Sequence, residues 1–141
     1  MPLILYPFAD VVAFGSTHSS LGQIVETAAG KIDISLSPDP MPEQALFTRS
    51  DHYSFVKQGI PSVFLMTGFK STDESINGGE VFGDFLKNHY HQHSDEITLP
   101  INYQAAANFA LVNMMIGLEI ANQHQRPQWN QDDFFGVTFA Q

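Results

Sequence analysis

The sequence predicts an α/β domain. Three observations lead there: short apolar segments alternate with helical patterns, a near-continuous apolar run covers Pro61 to Thr67, and one long helical stripe closes the chain. With 141 residues the chain fits a single domain, 1–141, large enough to bury a core without disulfides.

Leu3 to Phe8 and Asp10 to Phe14 read as buried strands. The opening Met1-Pro2-Leu3-Ile4-Leu5-Tyr6 has no basic leader and looks like a strand interior. Ser20-Leu21-Gly22-Gln23 has capping-box spacing, and Leu21, Ile24, Val25 and Ala28 fall on one helical face before Gly30. Ile32 to Leu36 alternates as a strand should, and Pro38, Pro40 and Pro42 follow as an irregular connection. Ser50 to Gln58 reads as a short helix ended by Gly59. Pro61 to Thr67 has the continuous apolar character of a strand in the middle of a parallel sheet. Gly78-Gly79 interrupts the pattern after Gly68, which predicts a long loop with a helical turn near Val81 to Leu86. Asn102 to Gln123 is the longest helix, with Ala105, Phe109, Val112 and Ile116 facing the core. The tail, 126–141, is rich in aromatic residues and is expected to pack against the body.

Composition removes several functions. A net charge of −9 with scattered Lys and Arg argues against nucleic acid and against an anionic membrane surface. The chain has no cysteine, so thiolate metal sites and Cys nucleophiles are excluded. No segment reads as a membrane span.

Two constellations carry chemistry. The first is Tyr90-His91-Gln92-His93-Ser94-Asp95. An imidazole with a carboxylate four residues on supplies a metal ligand and a group to steady it. His89, His91 and His93 alternate, which fits either a metal claw or a polar loop. His91 has the strongest claim, because Tyr90 and Asp95 flank it. The second is Arg49-Ser50-Asp51-His52-Tyr53-Ser54-Phe55, followed by Gly59-Ile60-Pro61. Capping and turn chemistry explain Ser50, Gly59 and Pro61, but not Asp51 and His52 side by side at a helix start. A Ser-His-Asp relay does not fit, since there is no G-x-S-x-G elbow and adjacent Asp51 and His52 cannot relay to Ser50. Phosphate loops and H-E-x-x-H helices are also missing.

Taken in order, Ser50-Asp51-His52, Phe55, Gly59-Ile60-Pro61, Tyr90-His91 and Asp95 resemble the C-terminal half of the M28 zinc peptidases. That family includes aminopeptidases, glutamate carboxypeptidases and the related glutaminyl cyclases. The resemblance covers roughly 46–122. It implies a three-layer α/β/α sandwich with a mostly parallel mixed sheet. It also implies two zinc ions held by a His, a bridging Asp, a Glu, an Asp and a final His, with a second Glu as general base. The metals would activate a water for attack on a peptide carbonyl. Only the final ligand, His91, maps onto this sequence. Asp95 would steady it, and Ser50, Asp51, His52 and Tyr90 would border the substrate site. Phe47 stands where some relatives carry a Tyr and receives no role, and no catalytic residue is assigned. The other ligands are expected upstream of Met1.

The reading that follows is the C-terminal portion of a zinc-dependent exopeptidase of aminopeptidase type, acting on peptides but inactive as an isolated chain. Alternatives are a non-catalytic binding or assembly module on the same scaffold and a glutaminyl-cyclase-like enzyme. An uncovered sheet edge would invite pairing with a second copy.

Overall fold

The computed structural model describes residues 2–140; Met1, first of the opening segment read as a strand interior, and Gln141, last of the tail, lie outside them. Three strands and five helices follow in the order β1 (Asp10–Phe14), α1 (Leu21–Gly30), β2 (Ser35–Ser37), α2 (Tyr53–Val56), β3 (Phe64–Thr67), α3 (Gly78–Asn88), α4 (Tyr103–Asn122) and α5 (Phe134–Phe139). Two 3-10 turns, Pro42–Gln44 and Leu46–Thr48, lead into α2.

The strands form one mixed sheet in the order β2-β1-β3. β1 pairs with β2 in parallel and with β3 antiparallel. All five residues of β1 are buried, which suits the central position. β3 is shorter than the predicted run and stands last in the strand order, not amid parallel neighbours. Apolar continuity reports burial on both faces and carries no information about strand direction.

Leu3 to Phe8 forms no regular strand; Phe8 makes a single bridge to Ser71. The segment is nonetheless integral to the core. Tyr6 is fully buried and its hydroxyl donates to the Gly68 carbonyl. The Leu3 N–H donates to Thr67 Oγ1 at 3.1 Å, and that hydroxyl donates to the Leu3 carbonyl. The N-terminal segment thus lies along β3 at Thr67.

Helix α1 buries Leu21, Ile24, Val25 and Ala28, as its spacing predicts. Ser20 does not cap it. Its backbone is already helical, and its hydroxyl accepts from the Gln128 N–H at 3.0 Å. Gly78-Gly79 starts α3 rather than breaking the chain: Asn77 accepts from the N–H groups of Gly79 and Glu80. Gly78 is required by close approach, since an added Cβ would stand 2.6 Å from the Phe69 carbonyl and 2.7 Å from the Tyr6 ring. Asn102 caps α4 in the same manner, through the Ala105 N–H. Ala105, Val112 and Ile116 are buried on α4, while Phe109 is half-buried and meets Phe8 edge-on. By length and composition alone, α4 is apolar enough to cross a bilayer, a feature the sequence reading overlooked.

Candidate functional site

The segment leading into β3 is tightly held. Ala45, at φ 48°, turns the chain between the two 3-10 turns and sets Phe47 against β1. Gly15 follows β1 at φ 93°, and a Cβ there would fall 2.3 Å from the Phe47 ring. Phe47 in turn contacts the rings of His18, His52, Tyr53 and Phe135. Ser50 and Asp51 are exposed on the turn before α2, and Val56 anchors that helix with no exposure at all.

His52 is the least ordinary member of this group. Its ring lies between Phe47, at 5.0 Å, and Phe64 of β3, at 4.6 Å. Both ring nitrogens are buried and make no hydrogen bond among the described residues. Burial lowers its pKa below the ordinary imidazole value. The Phe47 carbonyl and the Asp51 charge pull the other way but are outweighed. The neutral ring offers one donor and one acceptor; the Phe47 carbonyl stands near enough to act on its charge but makes no hydrogen bond of ordinary geometry with it. His52 lines a groove of about 810 Å³ formed by the approach to β3, by α4 and by the tail.

The tail completes the wall. Trp129 Nε1 donates to the Gly59 carbonyl at 2.8 Å, and Gly59 itself adopts φ 77°. Asp133 caps α5 through Oδ1, while its Oδ2 pairs with His18 Nδ1 at 2.7 Å. His18 also stacks on Phe47 and meets Phe135 edge-on. Sequence reasoning missed His18, because its carboxylate partner stands 115 positions away. Only the aromatic density of the tail hinted at such packing.

The constellation from Tyr90 to Asp95 is loosely held. His91 is exposed, has φ 59°, and stacks on Tyr90 with ring centres 3.8 Å apart. His89 Nδ1 lies 3.0 Å from Ser94 Oγ, which explains that residue as a loop tie. His93 is exposed. No hydrogen bond or ion pair joins His91 to Asp95 among the described residues; Asp95 instead lines a small cavity with Leu3, Leu5 and Phe85. No group of three His, Asp or Glu side chains among the described residues is placed to hold a metal. One solvated imidazole does not fit a zinc pair, which needs several converging ligands.

The two constellations are not brought together. His52 contacts Phe64, at the β3 end paired with Phe14. Asp95, four residues past His91, lines a cavity together with Leu3, which bonds Thr67 at the other end. Three steps of extended strand put about 10 Å between those ends.

A family profile described as Peptidase family M28 matches residues 5–116. No curated protein and no solved structure matches the chain. The match stops within α4, so the tail that closes the groove lies beyond it.

Proposed function

Because the chain belongs to peptidase family M28, we propose that it is the C-terminal portion of a zinc-dependent exopeptidase of aminopeptidase type, inactive as an isolated chain. In the intact domain its strands would join a larger three-layer α/β/α sheet. The observation that carries this reading is the pre-set wall of Phe47, His52 and Phe64, built from the segment that bears the family's Ser-Asp-His and Gly-Ile-Pro motifs.

In this reading the family's zinc supplies Lewis-acid chemistry, and this chain offers it His91 alone. No step of hydrolysis follows from the described residues, since they do not form a metal site. What they can do is bind and orient a peptide. Both nitrogens of His52 are buried, so a peptide would reach them only after the Phe47 or Phe64 ring moves; the neutral ring could then donate one hydrogen bond and accept another. The open groove beside it is lined largely by apolar side chains that a peptide's own apolar groups could cover. Asp95 would steady His91 only after the loop rearranges to bring the two together.

Two measurements test the proposal. Purified chain, incubated with zinc and desalted, should retain less than one ion per chain and should not hydrolyse leucine p-nitroanilide. Two retained ions with turnover would overturn the claim of inactivity. The coding sequence upstream of Met1 should supply a His, an Asp, a Glu pair and an Asp in that order. Their absence would replace the peptidase reading with a non-catalytic binding module, for which the exposed His91, away from any group of metal-binding side chains among the described residues, is the favouring observation.

A further inference from the structure

We propose that residues 126–140 form a strap over the ring wall and that the strap, opening as a unit, governs access to His52. The strap is fastened to the body without being built into the core. None of its residues is fully buried, whereas all of β1 and Val56 of α2 are. Before it, α4 ends with Gln123 in an extended conformation, and residues 123–126 are exposed and without regular structure. That stretch is the hinge. A segment with little buried surface opens at lower cost than the body that carries it.

The fastenings are polar and clustered. The Ser20 N–H donates to the Gln128 carbonyl at 2.9 Å, and the Asn130 N–H donates to the His18 carbonyl at 2.9 Å. The Asn130 side-chain amide donates to the Thr17 carbonyl, and Trp129 donates to Gly59. The Asp133 carboxylate completes the set on His18. Apart from the Gly59 bond, all of these fall on residues 17–20. They can therefore release together.

Opening matters because of what the strap touches. Phe135 meets Phe47 edge-on with ring centres 5.0 Å apart. His18, tethered by Asp133, stacks on the same Phe47 ring at 5.0 Å. Phe47 in turn lies against His52, whose ring nitrogens are buried and unbonded among the described residues. With the strap closed, Phe47 is pinned. With it open, Phe135 departs and His18 loses its tether, so Phe47 can turn aside and bare the imidazole. The inference goes beyond the peptidase reading and does not need it, since it concerns access to one side chain.

Carbethoxylation by diethyl pyrocarbonate, mapped by peptide mass spectrometry, reads this opening. The reagent transfers an ethoxycarbonyl group to an accessible neutral imidazole nitrogen and releases ethanol and carbon dioxide. In the full chain His52 should react about tenfold or more slowly than the exposed His91 and His93. Phe135→Ala and Asp133→Ser should each speed His18 and His52 together, about fivefold or more, with His91 and His93 unchanged; serine keeps a capping oxygen for α5. Hydrogen exchange separates local from global opening. The Asn130 amide should exchange faster in both variants, while the amides of β1 and α1 keep their protection. An equal rise in the β1 and α1 amides would overturn the proposal, because the whole chain would then be unfolding. A wild-type His52 as reactive as His91 would do the same, as would a slow His52 indifferent to both variants.

Discussion

The segment from Phe47 to Val63 and the loop from His89 to Asp95 bear the chain's two strongest motifs, and they are held in opposite ways. In the first, key motif residues meet partners distant in sequence. Phe47 meets Gly15 and Phe135, His52 meets Phe64, and Gly59 accepts from Trp129. In the second, the partners are local: Tyr90 for His91, Ser94 for His89. A motif identifies which residues bear chemistry, but tertiary contacts decide whether those residues are pre-positioned. The rings around His52 are held in place by contacts from β1, β3 and the tail. His91 has no such support within the described residues.

The largest effect should come from breaking the ordered side. Gly15→Ala forces a side chain into a left-handed backbone and against the Phe47 ring, with a Cβ also 2.5 Å from the Ser62 carbonyl. Strain and overpacking together should cost about 3 kcal/mol, read from urea unfolding. A change of under 1 kcal/mol would mean that Phe47 is free to move away and that the wall is not tightly packed.

A smaller effect should sharpen the same contrast. The buried neutral His52 resists protonation, so the unfolded chain binds a proton there more readily than the folded one. Its contribution to stability is full above about pH 6.5 and is lost progressively as pH falls below that, down to the lowered folded value. The fall in Tm between pH 7.5 and pH 5 should therefore be smaller for His52→Phe than for the wild type. Equal falls would show the ring to be solvated.

The smallest effect should lie on the loose side. His91→Ala should leave stability within about 0.5 kcal/mol of wild type by the same urea assay, since the side chain is exposed and held by one ring contact. A loss above 1 kcal/mol would show that the loop is as well supported as the wall and would erase the comparison.

Much of the fold was legible in the sequence, and the failures share a cause. α1 and α4 follow from hydrophobic period, and β1 from its apolar run. Local readings failed where a distant group competed for the same atoms. Ser20 has the spacing of a cap, but its hydroxyl is taken by the Gln128 N–H. Gly78-Gly79 reads as a break, but Asn77 and the tight approach of Tyr6 make it a helix start. Leu3 to Phe8 has strand composition yet serves the core through Tyr6 and Thr67 without a regular ladder.

For the site, sequence order and spacing alone determined that Ser50-Asp51-His52, Gly59-Ile60-Pro61 and Tyr90-His91 belong together as an M28 pattern. That information is one-dimensional and survives whatever the loops do. Only tertiary structure decided that His52 is sandwiched and unpartnered, that His18 and Asp133 join across 115 positions, and that the His91 loop lies toward the far end of β3 from the wall. Burial, pairing and distance between ends arise from packing, and packing depends on residues that no local window contains.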